Sequence, residues 1–470
     1  MASPSTSPIT PDLIEELKAL FPAKDQVVTP DSPGYGKALQ RWSDLASKRA
    51  GAIVYAETVQ DVQRAILFTT KHTLDLAVKA GGHTPDGGNS TAGLVLDLTR
   101  LNTVTLDQGS KTLTAGGGAL WRDVHAATAG TPFAVVSSSV GTTGVGGVTL
   151  QGGFGYLIGS HGLVIDNLVS VQIVTSDGVV RSASEAENAE LFWAVRGAGT
   201  NFGVVTQFVF VAHEQRKDVV AGSLLFTADK LEAILEALGG ALWWDDGQLA
   251  AQCVCHFPEG SEQVMLSVTL FCNGSEEVCR ERLAGVFALE SERSDVRVMA
   301  YEEANATLDS FSTPGRRKRL LGFEFVSPLR PQFVQDLLDE LQAKVDAEPD
   351  LRRTYIDIEF WDLRKVARVP TDATAFPNRV NVQKGSISLD YEDASKDEEY
   401  LEWATMLQSK FQEEFRRAGF EPNRLVSNFI YYLKPADAAD MFGGNGERLA
   451  QLKRKYDPQG IFNKLNPIRI

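Results

Sequence analysis

Apolar residues recur along the chain in two registers, one helical and one suited to short strands. Thr10 followed by Pro11–Leu20 has the spacing of an amphipathic helix with a hydroxyl N-cap. Thr58–Ile66 repeats the pattern, with Val59, Val62 and Ile66 on one face. Short apolar runs bounded by glycine follow. Leu74–Lys79, Leu94–Leu98 and Thr112–Ala115 read as strands, the last leading through Gly116-Gly117-Gly118 to a helix at Leu120–Ala127. Leu168–Thr175 and Val179–Ser182 flank Asp177-Gly178, the turn chemistry of a hairpin. A helix over Ala186–Val195 and a strand over Val204–Val211 close this half.

Near residue 215, at Glu214-Gln215-Arg216-Lys217-Asp218, the composition turns from glycine-rich to charged, and a domain boundary is expected there. Strands at Val219–Phe226, Leu249–His256, Gln263–Phe271, Arg319–Phe325, Thr354–Phe360 and Ser386–Leu389 alternate with helices at Lys230–Leu238, Glu276–Ala288, Pro331–Val345 and Glu398–Ala418. Antiparallel strands with the helices on one face are the natural packing. Ser427–Leu433 is predicted as one further strand and Gly446–Tyr456 as a final helix.

With 470 residues, 43% of them apolar and 23% charged, the chain has room for two globular domains. A formal net charge of −15 argues against nucleic acid and anionic membranes as partners. No apolar run approaches the ~20 residues of a membrane span, and the N-terminus lacks the features of a secretory signal. A cytoplasmic location is expected, with the sequons at Asn89, Asn273 and Asn305 coincidental. Four cysteines, Cys253, Cys255, Cys272 and Cys279, are no disulfide framework in so long a chain. Cys253-x-Cys255-His256 lacks a second ligand pair, so no metal is expected. His72, His125 and His213 read as packing or surface residues; His161, in a glycine-rich block, is a structural residue or a cofactor neighbour.

Two glycine-dense stretches carry the chemistry. Lys79-Ala80-Gly81-Gly82-His83-Thr84 follows a strand and opens into Gly87-Gly88. Paired glycines let backbone N–H groups approach a phosphate and hold the next side chain at a fixed distance from it. Ser139–Gly147 with Gly152-Gly153-Phe154-Gly155 suits backbone packed against a flat ligand. Gly197-x-Gly199 is no dinucleotide fingerprint, because its order is helix, glycines, strand.

Together with Tyr156–Asn167, Leu191–Gly197, Asn201-Phe202-Gly203, Thr374–Arg379 and the tail Tyr456-Asp457-Pro458, these stretches resemble the berberine-bridge-enzyme-like branch of the vanillyl-alcohol-oxidase flavoproteins. The likeness spans roughly residues 40–470. It implies an α+β protein: an N-terminal helical segment (1–45), a PCMH-type FAD-binding domain (46–215), a substrate domain (216–425) and a return to the FAD-binding domain (426–470). It implies FAD bonded covalently to His83, and FAD contacts from Lys79, Ala80, Gly81, Gly82, Thr84, Gly87, Ser139, Val140, Thr142, Thr143, Gly146, Gly147, Gly155, Val205 and Asn466.

Relatives with a second flavin tether place a cysteine where this chain has Val140, so a single bond through His83 is expected. Val148 stands where many relatives have histidine, and Thr143 stands at the position that influences oxygen access. Phe429-Ile430-Tyr431-Tyr432 is similar to the family's Tyr-x-Asn-Tyr segment, making Tyr432 the expected base, with Tyr431 in place of the asparagine; Gln383 is the next candidate to face the ring. The strand on which some relatives carry a glutamate base offers only Ser386 and Ser388. The implied activity is hydride transfer from an alcohol or related C–H bond of a small natural-product-like or sugar-like substrate to FAD, with O2 reduced to hydrogen peroxide. A flavin-bound cyclase without net redox and a binding protein with a vestigial flavin are the alternatives.

Overall fold

The computed structural model describes residues 8–23, 25–85, 87–241, 247–421 and 441–469. Helix α1 (Pro11–Leu20) starts at Thr10, whose hydroxyl accepts the Leu13 N–H. The first 45 residues, expected to be helical, also supply a strand, β1 (Val27–Val28), because backbone there pairs with β2 (Ala52–Tyr55). Helix α2 (Val59–His72) opens with Thr58 and Asp61 capping each other's backbone. Its Val62, Ala65 and Ile66 face lies buried against Val54, Leu94 and Leu96. Each such aliphatic side chain contributes ~1.5–3 kcal/mol when fully buried, which is what seats the helix on the sheet. Strands β3 (Leu76–Lys79) and β4 (Leu94–Asp97) run parallel to β2, giving the order β1-β2-β4-β3.

A second, antiparallel sheet takes β5 (Val104–Asp107), β6 (Thr112–Gly116), β7 (Leu168–Val174), β8 (Val180–Ser184) and β9 (Val204–Val211) in the order β5-β6-β9-β7-β8. The β7–β8 hairpin turns at Asp177-Gly178, with Gly178 at φ +73°. Helices α3 (Trp121–Thr128), α4 (Val145–Thr149) and α5 (Ala189–Ala198) pack around this sheet.

Among the described residues the third sheet has eight antiparallel strands: β10 (Asp218–Thr227), β11 (Leu249–His256), β12 (Met265–Cys272), β13 (Arg293–Ser294), β14 (Arg297–Ala300), β15 (Arg317–Phe325), β16 (Tyr355–Trp361) and β17 (Gln383–Tyr391). Their order is β13-β10-β12-β11-β16-β17-β15, with β14 also on β10. Helices α6 (Leu231–Ala241), α7 (Pro331–Ala347) and α8 (Asp397–Arg417) cover one face, where Cys253, Cys255, Ile358 and Phe323 meet Leu235, Leu338 and Phe411. The other face, with Gln252, Val254, Asp357, Glu359 and Ser386, borders a cavity shared with the first half of the chain. The helix expected over Glu276–Ala288 is two pieces, Glu276–Arg282 and Ala284–Phe287, with Gly285 packed against Ala237.

One expectation about cysteine is corrected. Cys272, at the end of β12, and Cys279 form a disulfide across 5.9 Å between Cα atoms. Composition excludes a framework of bridges but cannot exclude a single local one, which depends on geometry alone. Cys253 and Cys255 are buried thiols.

Helix α9 (Gly446–Tyr456) brings the chain back. The buried Lys453 ammonium donates to the Asn201 and Phe462 carbonyls and to Asp457. Asp457 in turn accepts the N–H groups of Ile461 and Phe462, fixing the tail beside β9.

Candidate active site

The two glycine-dense stretches meet backbone to backbone. A Cβ on Gly81 would lie 2.4 Å from the Gly144 nitrogen, and one on Gly144 would lie 2.6 Å from the Gly81 nitrogen. Neither position tolerates a side chain, so the separated glycines are one structural device. Among the described residues, the N–H groups of Gly81, Gly82, His83 and Thr84 have no acceptor within the protein. Such a row of free donors is an anion-binding concavity.

These residues line a cleft that opens to solvent. Its walls include Ala80–Thr84, Gly144, Gly146, Gly147, Leu76, Val78, Val205, Phe208 and the tail residues Phe462–Leu465. A Cβ on Gly147 would meet no protein atom within 4 Å, so that backbone stands bare toward open space. The Asn89 Nδ2 in the wall is also unpartnered. An apolar trough with free backbone donors at one end fits a dinucleotide carrying a flat ring and a pyrophosphate.

His83 lines this cleft and also a second cavity, walled further by Trp42, Val140, Gln252, Phe311, Tyr355, Asp357 and Glu359. Thr143 lines both as well, with its hydroxyl held by the Val140 carbonyl at 2.7 Å. Trp42 stacks on His83, with centroids 5.8 Å apart and planes 18° apart. The Trp42 backbone N–H donates to the Gly82 carbonyl at 3.0 Å. Lys318 binds the carbonyls of Thr313, Gly315 and Trp42 and places its ammonium 5.2 Å from the Trp42 ring. Burial, reinforced by the Lys318 charge, lowers the His83 pKa to about 4 despite a hydrogen bond to the Thr142 backbone. At neutral pH the imidazole is uncharged.

On β16, Asp357 and Glu359 stand two residues apart and share a face. Burial first, then the charge of Glu359, pushes Asp357 well above the carboxylate range. Burial pushes Glu359 up to about 7, against the pull of the Trp361 indole, which donates to it at 2.7 Å, and of Lys384. One of the two therefore holds a proton near neutrality. Neither carboxylate was reached by sequence reasoning, which searched β17 and found Ser386 and Ser388. The signal was available one strand earlier: Tyr355-Ile-Asp-Ile-Glu-Phe-Trp361 alternates, with its acids all on one face.

Of the other expected residues, Ser139 and Val140 line the second cavity. Lys79, Gly87, Thr142, Gly155 and Asn466 line neither cavity. Lys79 pairs with Asp97 at 2.9 Å, and the Asn466 carbonyl accepts the Asn201 amide at 3.1 Å. Gln383 does not face the cofactor cleft. Its amide is spent on the Trp361 backbone, accepting the N–H and donating to the carbonyl, both at 2.8 Å. Tyr431, Tyr432 and the strand expected at Ser427–Leu433 lie outside the described residues. His161 stacks on His213 rather than lining either cavity. His256 binds Ser267, and no group of metal-ligating side chains occurs among the described residues.

Residues 50–184 match the family described as FAD binding domain, and residues 437–469 match Berberine and berberine like. An FAD-linked oxidoreductase of Aspergillus terreus is 32% identical over 458 residues, covering 92% of this chain and 91% of the relative. Among solved structures, 6-hydroxy-D-nicotine oxidase from Arthrobacter nicotinovorans superposes with a TM-score of 0.81 at 24% identity, covering 95% of this chain and 98% of that one. Berberine bridge enzyme from Eschscholzia californica gives a TM-score of 0.81 at 21% identity, over 97% and 99% of the two chains.

Proposed function

The chain belongs to the berberine-bridge-enzyme-like FAD-linked oxidoreductases, and from that premise we propose that it is an oxidase of a small organic molecule, with FAD held covalently by His83 alone. The bound FAD supplies the redox chemistry, taking a hydride from a substrate C–H bond and passing the electrons to O2 to give hydrogen peroxide. The observation that carries the reading is that His83 lines both the cofactor cleft and the carboxyl-walled cavity. A residue in both walls ties the cofactor to the place where a substrate can lie.

The protein's own part is to hold, orient and move a proton. The free N–H groups of Gly81–Thr84 would hold the pyrophosphate. Neutral His83 keeps the lone pair that a bond to carbon requires, and Trp42 fixes its ring plane. Val140 has no thiol to offer a second bond. Glu359 is the base: it lines the cavity, and a carboxyl titrating near neutrality takes a proton most effectively at physiological pH. Thr143 at the shared wall is smaller than a leucine and leaves a path for oxygen.

Anaerobic mixing of the holoenzyme with alcohols and amines of natural-product type, followed by the bleaching of the flavin band, tests the reading. Bleaching by a substrate, then recovery in air with one peroxide per turnover, is expected. Recovery only with quinones or dyes would make the protein a dehydrogenase. Turnover without bleaching would make it a cyclase.

A further inference from the structure

The sheet face behind the second cavity carries its charges in register. Gln252, Glu359, Lys384 and Glu324 are successive cross-strand partners on β11, β16, β17 and β15, with Lys384 and Glu324 paired at 3.1 Å and both buried. Two positions along, the row is Val254, Asp357, Ser386 and Gly322. Asp357 thus has no cation as a cross-strand neighbour, and its Oδ1 is buried with no hydrogen-bond partner. The two carboxyls share a hydrogen bond, and the groups that act on the pair electrostatically are Lys384, Cys253, Cys255, Tyr156 and Tyr355. Among the described residues no lysine or arginine lines the cavity, the histidine there is neutral, and Trp42, Phe311 and Tyr355 supply aromatic wall. Phe311 and Tyr355 meet edge to face at 5.7 Å.

A carboxyl with no cation beside it, Asp357, set at a wall of aromatic rings, is complementary to a positive charge on an apolar body. We propose that Asp357 is the residue that reads substrate charge: the cavity takes an aromatic amine in its protonated form, with the ammonium on the Asp357–Glu359 pair and the ring among Trp42, Phe311 and Tyr355. The inference rests on the second cavity being the substrate site. An ammonium answers the unpaired carboxyl oxygen with a charge-assisted hydrogen bond, and the aromatic faces attract the same cation. Its arrival replaces the proton that the pair holds when empty, and that proton goes to solvent. The ammonium N–H then breaks, the proton forming an O–H bond on Glu359, and the nitrogen keeps the electron pair as a free amine. No oxidant is consumed in this transfer. A carboxylate substrate meets like charge and is excluded, while an alcohol leaves the pair protonated.

The test uses the FAD-loaded enzyme at pH 7 with N,N-dimethylbenzylamine, benzyl alcohol and benzoate, each followed by the shift of the flavin absorption band. Calorimetry in two buffers of different ionisation enthalpy counts protons. The amine is expected to bind ~10-fold or more tighter than the alcohol, benzoate to leave the band unmoved, and amine binding to release close to one proton. Asp357→Asn should bring amine and alcohol to similar affinity and abolish the proton release. Equal binding of alcohol and amine by the wild type overturns the proposal, as does an amine preference that survives Asp357→Asn. Should that variant not fold, the wild-type series and proton count decide alone. Bleaching by a neutral alcohol with no response to any amine overturns the charge reading but leaves the oxidase reading standing.

Discussion

Trp42 stacks on His83, and the Lys318 ammonium that anchors the Trp42 carbonyl also helps keep His83 uncharged. The arrangement brings the N-terminal segment, the first glycine loop and the edge strand β15 to one imidazole. Ser43 strengthens the junction, its hydroxyl binding both the N–H and the carbonyl of Lys318.

The first prediction follows from that junction. Acid-precipitated protein should remain yellow, and the only flavin-bearing peptide should contain His83. His83→Ala should release its FAD on acid treatment while retaining it in native buffer. Flavin recovered on any cysteine peptide, or wholly in the supernatant of the wild type, would contradict a single bond to His83.

Glu359→Gln removes the titrating oxygen but keeps an acceptor for the Trp361 indole. Loss of general-base action should slow flavin reduction ~10²–10⁴-fold, with reoxidation by O2 near normal. In the wild type, the second-order rate of reduction at low substrate should rise with pH through an inflection close to 7, because the ionised carboxylate of the empty site is the active form. Stopped-flow measurement of the two half-reactions checks both. An unchanged reduction rate in Glu359→Gln would return the role to Tyr432.

What the sequence made legible, and what it did not, follows from the range of each signal. The hairpin at Asp177-Gly178, strand Val204–Val211 and helix Gly446–Tyr456 depend on local periodicity and turn chemistry, and they appear where the pattern places them. The two glycine runs, one of them leading to His83, are conspicuous along the chain, whereas the approach of Gly81 to Gly144 is a matter of packing that no local pattern shows. Gln383 was misplaced because strand position says which face a residue occupies but not whether a neighbouring backbone has claimed its amide. Asp357 and Glu359 were missed for a related reason. Their alternation on β16 is visible, but only the packing of the sheet against the first half shows that the acidic face borders a cavity rather than water. The Cys272–Cys279 bridge is likewise a matter of spatial approach.

Arg379 and Asp166 form a doubly bonded pair at 2.7 and 2.8 Å, with the arginine side chain fully buried. The pair joins the Thr374–Arg379 segment to the chain following the second glycine block. Removing one partner leaves a buried charge uncompensated, which costs about 3–5 kcal/mol. Asp166→Asn should therefore lower unfolding stability by roughly that amount in denaturant titration. A loss under ~1 kcal/mol would mean that water or a neighbour replaces the partner.

The last prediction concerns acid. Burial holds His83, His125 and His256 near a pKa of about 4, against 6.5 for a free imidazole. The folded state therefore resists protonation that the unfolded chain accepts. The stabilisation is complete above pH 6.5 and is lost as pH falls toward 4, the sign expected for a lowered folded-state value. For His125, almost fully buried with its Nε2 at 2.9 Å from the Ser137 hydroxyl, the whole shift corresponds to on the order of 3 kcal/mol. Glu359 works in the opposite direction, because its raised value favours the folded state as pH falls below 7. A bare pH–stability curve sums these effects, so a variant must separate them. His125→Gln keeps a hydrogen-bonding partner for Ser137 but cannot titrate. Between pH 6.5 and 4.5 its melting temperature should fall less steeply than that of the wild type. Parallel curves over that window would show that His125 is protonated without cost in the folded protein.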